Sequence, residues 1–222
     1  MFLGGKFMLN EKVSVAVIKR LPKYYRYLEL IGDRGIIRVS SQELSKITGL
    51  TASQIRQDLN HFGAFGQQGY GYNVEELKIE LEKIMGVDRP YNVVIVGFGN
   101  IGSALLNYSG FRRKGFKVTG IFDVSSEIIG TKHNDVVVKD VSKLYDFVSN
   151  ENVDIAILSI PARDAQEITN KLVSAGIKGI WNFAPIDLKL PENIVLENVH
   201  LDGSLLTLTY YMNNLKDYQG IK

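Results

Sequence analysis

The chain has 222 residues, of which 45% are hydrophobic and 23% are charged, and this is the composition of a globular protein of one or two domains. It contains no cysteine, which excludes disulfide scaffolds, thiolate metal sites and cysteine nucleophiles. Only three histidines are present, and no apolar run approaches the roughly 18 residues of a membrane-spanning helix. We therefore expect a cytoplasmic protein with no membrane span and no metal.

The formal net charge of +2 is the sum of two unequal parts. Residues 1–74 carry ten Lys and Arg against five Asp and Glu, whereas residues 75–222 carry sixteen against nineteen. A basic front and a slightly acidic rear indicate two domains, and the basic one is the candidate for binding a polyanion. The alternative is that so small an excess of positive charge arises by chance.

The first predicted element is an amphipathic helix, because apolar residues recur at steps of four and three. Pro22 fits this helix if the helix restarts there, since proline is tolerated in a first turn. A break at 32–35 and a short strand at 36–39 follow. The residues of the helical stripe are Val17, Leu21, Tyr24, Leu28 and Ile31.

Two short helices separated by a glycine turn are predicted next. Ser40 and Glu43 form a capping-box signature, and Thr51 and Gln54 form a second one after the turn at Gly49. This is the pattern of a helix-turn-helix, whose second helix presents a polar face to DNA. Arg on such a face pairs with guanine, and Gln or Asn pairs with adenine. The exposed residues predicted to contact DNA are Ser53, Arg56, Gln57 and Asn60.

A glycine-rich segment, residues 63–73, follows and interleaves four glycines with aromatic residues. Glycines permit a tight hairpin, and a hairpin after a recognition helix is the wing of a winged-helix domain. The alternative to the helix-turn-helix as a whole is an ordinary pair of antiparallel helices packed in a core. If the segment is a wing, its residues Gln67, Gln68 and Tyr70 are predicted to contact DNA.

The strongest motif follows a predicted linker at 86–91. An apolar run at 93–96 is typical of a strand buried on both faces, and it leads directly into a G-x-G-x-x-G sequence that opens a helix. The next predicted strand, 117–122, ends at the acidic residue that completes a dinucleotide fingerprint. The cofactor-binding residues predicted from this motif are Gly97, Phe98, Gly99, Asn100, Ile101, Gly102 and Asp123.

Each residue of the fingerprint has a physical task. Gly97 permits a tight turn, Gly99 lets the backbone approach a pyrophosphate, and Gly102 lets the helix pack against the strand. The helix N-terminus supplies amide donors to the phosphates, and Asp123 accepts from the ribose hydroxyls while repelling a 2′-phosphate. The motif therefore predicts NADH and NAD+ as cofactors. The alternatives are another nucleotide, coenzyme A, or a loop kept for packing alone.

The rest of the chain alternates strands and helices, which predicts an α/β fold with a Rossmann-type, doubly wound parallel sheet. Ligands bind such sheets at the carboxyl ends of the strands. Two predicted strands, 154–160 and 179–183, therefore place further residues beside the nicotinamide, unless these are ordinary loop residues. They are Ser159, Pro161, Asn182 and Phe183.

The last predicted element is an apolar and aromatic helix at 205–215. A helix of this composition does not stand alone in water, so we expect it to dock on a partner chain and form a dimer. The predicted organisation is a winged-helix DNA-binding domain at 1–86, a nucleotide-binding domain at 87–202 and a dimerisation helix at 203–222.

An enzymatic role is not favoured. A dehydrogenase needs a substrate domain and an acid–base group, but only residues 203–222 follow the nucleotide-binding part. No Ser-His-Asp, Lys-Tyr or metal constellation is visible, and His133, in a predicted surface loop, and His200 are weak candidates. The combination favours a regulator that reads NAD(H) and binds DNA. The rivals are a small NAD-dependent oxidoreductase and a DNA-binding regulator with a different ligand.

Six segments carry a resemblance to a known family: IKRLPKYYRYLELI, VSSQELSKITGLTASQIRQDLNHFGAFGQQGYGYNV, VVIVGFGNIGSALLNYSGF, FDVSSEIIG, IPARDAQEI and AGIKGIWNFAP. Together they resemble the Rex family of redox-sensing transcriptional repressors. The resemblance implies a homodimer with a domain-swapped C-terminal helix that binds palindromic operators in double-stranded DNA. It also implies release from DNA when NADH binds, with NADH and NAD+ competing for one site.

The DNA-binding part departs from the family pattern. Gln57, Asn60 and His61 stand where the family commonly has a basic residue, a Ser and a Tyr, and Gln67 and Gln68 replace a basic pair in the wing. We expect fewer phosphate contacts, a weaker dependence of DNA affinity on salt and a shifted operator preference.

The resemblance also implies a sensing network between an Arg of the first helix, a Tyr after the glycine loop and an Asp near the swapped helix. The first two correspond to Arg26 and Tyr108, and Tyr108 is also expected beside the nicotinamide. At the third position the chain has His200, with Asp202 two residues later, so either residue is a candidate to close the network.

Overall fold

The computed structural model describes residues 13–66 and 69–214. The chain forms two compact units, which divide between Asp88 and Arg89, two residues after the boundary expected from the sequence. Each unit has a hydrophobic core of its own. No helix in the described part of the chain is both long enough and apolar enough to cross a membrane.

The first unit is mainly helical. Its elements are α1 (Val15–Gly32), β1 (Arg38–Val39), α2 (Ser41–Thr48), α3 (Ala52–Asn60), β2 (Tyr72–Asn73) and α4 (Val74–Met85). All five residues of the stripe predicted for α1 are buried. The prediction that Pro22 restarts this helix is wrong, because α1 continues through it. Proline cannot donate to the carbonyl four residues back, and the exposed side of α1 tolerates this because water reaches it.

The two-helix pattern predicted at 40–60 is confirmed. The Ser40 and Glu43 capping box opens α2 with both of its hydrogen bonds, and the Thr51 side chain caps α3. Gly49 between the helices is left-handed, with φ 72°, as a tight helix end requires. The core of the unit joins α1, α2, α3 and α4, and its fully buried members include Leu28, Leu44, Ile55 and Leu81.

The glycine-rich segment ends in β2, which pairs antiparallel with β1. Its middle residues, Gln67 and Gln68, lie outside the described residues, so the predicted hairpin stays a prediction there. The paired residues are Arg38 with Asn73 and Val39 with Tyr72. Gly71 permits the close approach, because a Cβ there would lie 2.6 Å from the Val39 carbonyl oxygen.

A sheet with helices on both sides organises the second unit. Its elements are β3 (Tyr91–Val96), α5 (Asn100–Asn107), α6 (Ser109–Arg113), β4 (Phe116–Asp123), β5 (Lys132–His133), β6 (Val136–Asp140), α7 (Leu144–Asn150), β7 (Ile155–Leu158), α8 (Ala162–Ser174), β8 (Gly179–Asn182), β9 (Val195–Asn198) and α9 (Leu201–Asn213). The seven strands are ordered β5-β6-β4-β3-β7-β8-β9, and all pairs are parallel except β5 with β6. Residues of β3 alternate, so that Val94 packs with α7 and α8 and Val93 packs with α5. The predicted doubly wound sheet is confirmed.

The hairpin of β5 and β6 was not predicted. Its turn places Asn134 and Asp135 at positive φ, 45° and 68°, a conformation that these residue types adopt more readily than others. The Asn134 side-chain amide donates to Asn107 Oδ1 over 3.1 Å, which ties the hairpin to the end of α5. His133, expected in a surface loop, ends β5 with its ring 4.7 Å from the Phe98 ring.

Candidate functional site

The glycine loop lies where the chain order of the strands reverses, between the carboxyl ends of β3 and β7. Gly97 is left-handed, with φ 88°, and a Cβ there would lie 2.5 Å from the Ser159 carbonyl oxygen. Gly102 packs so closely that a Cβ would overlap the Gly97 carbonyl oxygen. The first and third glycines are therefore required by the packing of the loop itself.

Gly99 differs from the other two glycines of the motif. A Cβ at this position would meet no atom within 4 Å, so the missing side chain leaves open space in front of the loop. Helix α5 begins at the next residue, Asn100, and no side chain caps it. Ile101 follows in its first turn. Amide groups at an uncapped helix N-terminus that faces open space fit the phosphates of a dinucleotide.

Asp123 ends β4 beside the glycine loop, and backbone amides hold its carboxylate. Oδ2 accepts from the Phe98 amide over 2.6 Å, and Oδ1 accepts from the amides of Val124 and Ser125 over 2.8 and 2.9 Å. A carboxylate has about four acceptor positions, so one remains for a ribose hydroxyl. The arrangement fits a free ribose diol and repels a phosphorylated ribose.

Two side chains predicted to line the cofactor are used inside the protein instead. Phe98 is 7% exposed and packs against Val138, and its amide is already bound to Asp123. The Ser159 hydroxyl donates to the Gly97 carbonyl over 2.8 Å. Both side chains therefore shape the loop, and what they leave for a ligand is backbone and space.

Asn182 has a similar internal role. It is 1% exposed, and its side-chain amide donates to the Asn198 side chain over 2.9 Å and to two carbonyls of the turn after β8. These bonds fix the end of β8 against β9. Pro161 is exposed and Phe183 is half-buried at the same carboxyl edge of the sheet, so these two remain available to a ligand.

Tyr108 lies at the opposite end of α5 from the glycine loop. The helix has eight residues, which at about 1.5 Å each separate its ends by about 12 Å. A helix between parallel strands runs back to their amino ends, and Tyr108 there lines a cavity of about 1050 Å³ with Phe116 and Val136. Within one chain, therefore, Tyr108 lies away from the glycine loop, and its expected place beside the nicotinamide stays a prediction.

The residues predicted to contact DNA share one surface of α3. Ser53, Arg56, Gln57 and Asn60 are all exposed and line one groove. Arg56 donates from Nη1 to Ser41 Oγ over 2.8 Å, which holds its guanidinium beside the start of α2. A polar, cationic surface on an exposed helix fits the major groove of DNA.

The wing contributes one described residue to the predicted contacts. Tyr70 is 69% exposed, and the Arg38 guanidinium lies 6.0 Å from the centre of its ring. Gln67 and Gln68 lie outside the described residues.

A buried carboxylate on α3 was missed by the sequence predictions. Asp58 is 0% exposed and accepts from Arg20 Nε and Nη2 over 2.6 and 2.8 Å, from the Tyr24 hydroxyl over 2.6 Å and from the Gln54 amide over 2.7 Å. Its spacing, three residues after Ile55 on the buried face, is the signal that could have identified it.

Hydrogen bonds decide the ionisation of this group. Burial by itself raises the pKa of the Asp58 carboxyl, but the bonds from Arg20, Tyr24 and Gln54 outweigh burial and hold that pKa below its ordinary value. Burial and the bond to Asp58 raise the pKa of the Tyr24 hydroxyl, and the same carboxylate raises the pKa of the Arg20 guanidinium.

Acid should therefore weaken the first unit through Asp58. A carboxyl whose pKa is lower in the folded state stabilises the fold above its unfolded pKa of about 3.9 and loses this contribution as the pH falls further. We expect the free energy of unfolding to decrease below about pH 4, and Asp58→Asn to flatten this decrease. Urea denaturation of both proteins at several pH values, followed by circular dichroism, measures it. An equally steep decrease in Asp58→Asn would assign the acid sensitivity to other carboxyl groups.

The C-terminal helix α9 leaves an apolar surface exposed in the single chain. It begins at Leu201, four residues earlier than predicted, and its predicted end at 215 lies outside the described residues. None of its residues is buried. Apolar exposure on this scale indicates an interaction with another chain. The exposed large apolar side chains are Leu201, Leu205, Leu206, Leu208, Tyr210 and Met212.

The remaining residues of the predicted sensing network are exposed as well. Arg26 lies on α1, His200 directly precedes α9, and Asp202 lies in the first turn of α9.

Within residues 13–66 and 69–214, no group of three or more His, Cys, Asp or Glu side chains could hold a metal ion.

Two family models match the chain. One, described as a putative DNA-binding protein N-terminus, matches residues 12–60, which include α1, α2 and α3. The other, described as a CoA binding domain, matches residues 88–186, which include the glycine loop and most of the sheet.

Similarity to known proteins extends over nearly the whole chain. The redox-sensing transcriptional repressor Rex of Clostridioides difficile (strain 630) is 57% identical over 207 residues, which are 93% of this chain and 99% of that protein. The crystal structure of RSP with beta-NADH matches with a TM-score of 0.87 at 50% identity, covering 96% of this chain and 100% of RSP. The structure of RSP with beta-NAD+ and operator DNA matches with a TM-score of 0.87 at 53% identity, covering 95% and 97%. The chain therefore belongs to the Rex family of redox-sensing transcriptional repressors.

Proposed function

We propose that this chain is a repressor that binds palindromic DNA operators as a homodimer and leaves them when NADH binds. One observation carries the proposal: an exposed recognition helix, α3, and a glycine loop with Asp123 that fits a dinucleotide occur in one chain. RSP has been crystallised with beta-NADH and with beta-NAD+ and operator DNA, which supports the same pairing here. The role is regulatory, in the cytoplasm, and not enzymatic.

Different parts of the nucleotide site contact different parts of the dinucleotide. Amides at the start of α5 hold the pyrophosphate in the space left by Gly99, and Asp123 accepts from the ribose. Pro161 and Phe183 lie at the edge of the sheet where a nicotinamide ends. The cofactor supplies a ring whose charge differs between NAD+ and NADH. A ligand shifts an equilibrium only if it binds one form more tightly than the other. NADH must therefore bind the DNA-free form more tightly than the DNA-bound form, and NAD+ must lack this preference.

Coenzyme A, which the description of one family model names, fits this site less well. Its ribose carries a 3′-phosphate, and that charge would approach the Asp123 carboxylate. Three backbone amides already hold this carboxylate in place, so it cannot turn away without losing them. We therefore assign NADH and NAD+ as the cofactors.

The DNA surface consists of α3 and the wing. Ser53, Arg56, Gln57 and Asn60 face the bases from the exposed side of α3. Tyr70 and, by sequence, Gln67 and Gln68 of the wing follow the DNA backbone.

A second copy of the chain completes the protein. Its α9 covers the apolar surface described above, and Arg26, Tyr108 and either His200 or Asp202 form the network that responds to NADH. The response changes the spacing of the two recognition helices, which must match half-sites one helical turn apart.

A titration of the operator complex tests this function. A labelled palindromic duplex, selected from a random library by its binding to the protein, is followed by fluorescence anisotropy during addition of NADH or NAD+. We expect NADH to release the DNA at concentrations at which NAD+ does not. Equal release by both, or by neither, would contradict the proposal. Consumption of NADH by the protein in the presence of small carbonyl compounds, measured by absorbance, would support the oxidoreductase rival instead.

Gly110→Ala should weaken the response to NADH. A Cβ at Gly110 would overlap ring atoms Cε1 and Cζ of Tyr108, which now packs there with Phe111 edge-on at 4.9 Å. The ring can rotate away, so we expect the variant to fold and to bind operator normally. We expect it to require about tenfold more NADH for release, which corresponds to a change of about 1.4 kcal/mol. Anisotropy of the operator complex measures this, and an unchanged NADH requirement would separate Tyr108 from the response.

A further inference from the structure

Asp58 joins the helix proposed to read DNA to the first helix of the unit. We propose that Asp58 is a positioning residue that fixes the orientation of α3 on α1, so that both helices meet DNA as one rigid body. The proposal rests on the proposed function, because it concerns how that function places its DNA-reading residues.

The contacts of Asp58 define direction as well as distance. Two of its four hydrogen bonds come from N–H groups of one guanidinium, Arg20, which fixes the plane of the carboxylate. A third comes from Tyr24, one helical turn further along α1, and the fourth from Gln54, one turn earlier on α3. These bonds use all of the roughly four acceptor positions of the carboxylate. A rotation of α3 on α1 would break several of them together.

The presence of a charged residue at this buried position indicates that its role is to orient α3 on α1 rather than to stabilise the fold. Among the described residues, Asp58 is the one buried carboxylate, and a well-packed apolar side chain is often at least as stabilising in such a place. Apolar contacts tolerate small rotations, whereas hydrogen bonds weaken when their angles change. Arg56, Gln57 and Asn60 lie within two residues of Asp58 on α3. A change in the orientation of α3 would therefore displace all three side chains relative to the DNA.

The same link extends to the residue proposed to sense NADH. Arg26 follows Arg20 by six residues on α1, which is less than two helical turns. A movement imposed on α1 at Arg26 would therefore be passed to α3 through the bonds between Arg20 and Asp58.

Two neighbouring tyrosines provide a matched test. Tyr24 and Tyr25 are both buried on α1, and each hydroxyl donates to a carboxylate, over 2.6 and 2.7 Å. Tyr24 donates to Asp58 on α3, whereas Tyr25 donates to Glu82 on α4. Tyr24→Phe and Tyr25→Phe thus remove the same group from the same core, and the first removes a hydrogen bond to the recognition helix, whereas the second removes one to α4.

The measured quantity is the ratio of affinities for the selected operator and for a non-specific duplex of equal length. We expect Tyr24→Phe to lower this ratio about fivefold and Asp58→Asn to lower it at least about tenfold, since hydrogen bonds to charged groups are the strong ones. Tyr25→Phe should leave the ratio unchanged. NADH affinity, followed through quenching of Trp181, the single tryptophan, should be unchanged in all three variants.

An equal decrease in the ratio of operator to non-specific affinity in Tyr24→Phe and Tyr25→Phe would overturn the proposal, because it would show a general effect of core stability. So would an unchanged ratio in Tyr24→Phe, or in a folded Asp58→Asn. If Asp58→Asn does not fold, the pair of tyrosine variants decides. A wild-type protein with no preference for any operator would instead refute the proposed function, so the two failures are distinguishable.

Discussion

Gly99→Ala is expected to fold as the wild type does and to lose most of its affinity for NADH. A Cβ at this position meets no atom of the protein within 4 Å, and the backbone at Gly99 is extended (φ −75°, ψ −158°), which alanine adopts freely. In the complex, however, the methyl group would occupy the space of the pyrophosphate and separate it from the amides of α5. Losing two hydrogen bonds to a charged group costs about 3 kcal/mol, so the dissociation constant should rise at least about 100-fold.

The consequence for regulation is a repressor that stays on DNA. Gly99→Ala should bind the operator with wild-type affinity and remain bound at NADH concentrations that release the wild type. Quenching of Trp181 measures NADH binding, and operator anisotropy measures release. Gly179→Ala is the matched control, because its Cβ would make an ordinary contact at 3.6 Å with Ile155 inside the sheet. A folded Gly99→Ala with full NADH affinity would place the dinucleotide elsewhere on the chain.

The contrast among the three glycines shows what a motif predicts and what it does not. The spacing of Gly97, Gly99 and Gly102 identifies the loop, because a strand, a tight turn and a helix must follow one another there. It does not separate glycines needed by the fold from the one that leaves room for a ligand. That distinction depends on Ser159, which reaches the loop from another strand, and Ser159 is distant in the sequence.

Local sequence signals predicted structure reliably because the residues that interact are close together in the sequence. Capping residues, helical stripes and the αL glycine at Gly49 act over three or four residues, so their partners are visible in a short window of sequence. The pairing of β1 with β2 depends on a closure of more than thirty residues, and the amide of Asn182 reaches a neighbouring strand. Tyr108 follows Gly102 closely in the sequence, yet α5 carries it to the other edge of the sheet. Direction along a helix decides which neighbours in sequence remain neighbours in space.

Two negative charges on α9 should convert the protein to monomers and remove most of its operator affinity. Leu205 and Leu208 are 60% and 52% exposed in the single chain, and their spacing of three residues places them on one face of the helix. If α9 docks on a second copy, Leu205→Glu with Leu208→Glu buries two carboxylates without partners, which an apolar interface does not accept. A monomer binds one half-site only, and losing the second should weaken operator binding about 100-fold or more.

Analytical ultracentrifugation measures the assembly of the double variant, and anisotropy measures its operator affinity. Tyr145→Glu is the control, because it places the same charge on an apolar residue of α7 that is 47% exposed. The control should remain a dimer with full operator affinity. A double variant that stays dimeric would assign the dimer contact to another surface, and a monomeric variant with full affinity would remove the need for two half-sites. Loss of both properties together, with an unchanged circular dichroism spectrum, would tie repression to the apolar face of α9, since a single chain has only one α3 and cannot hold two half-sites at once.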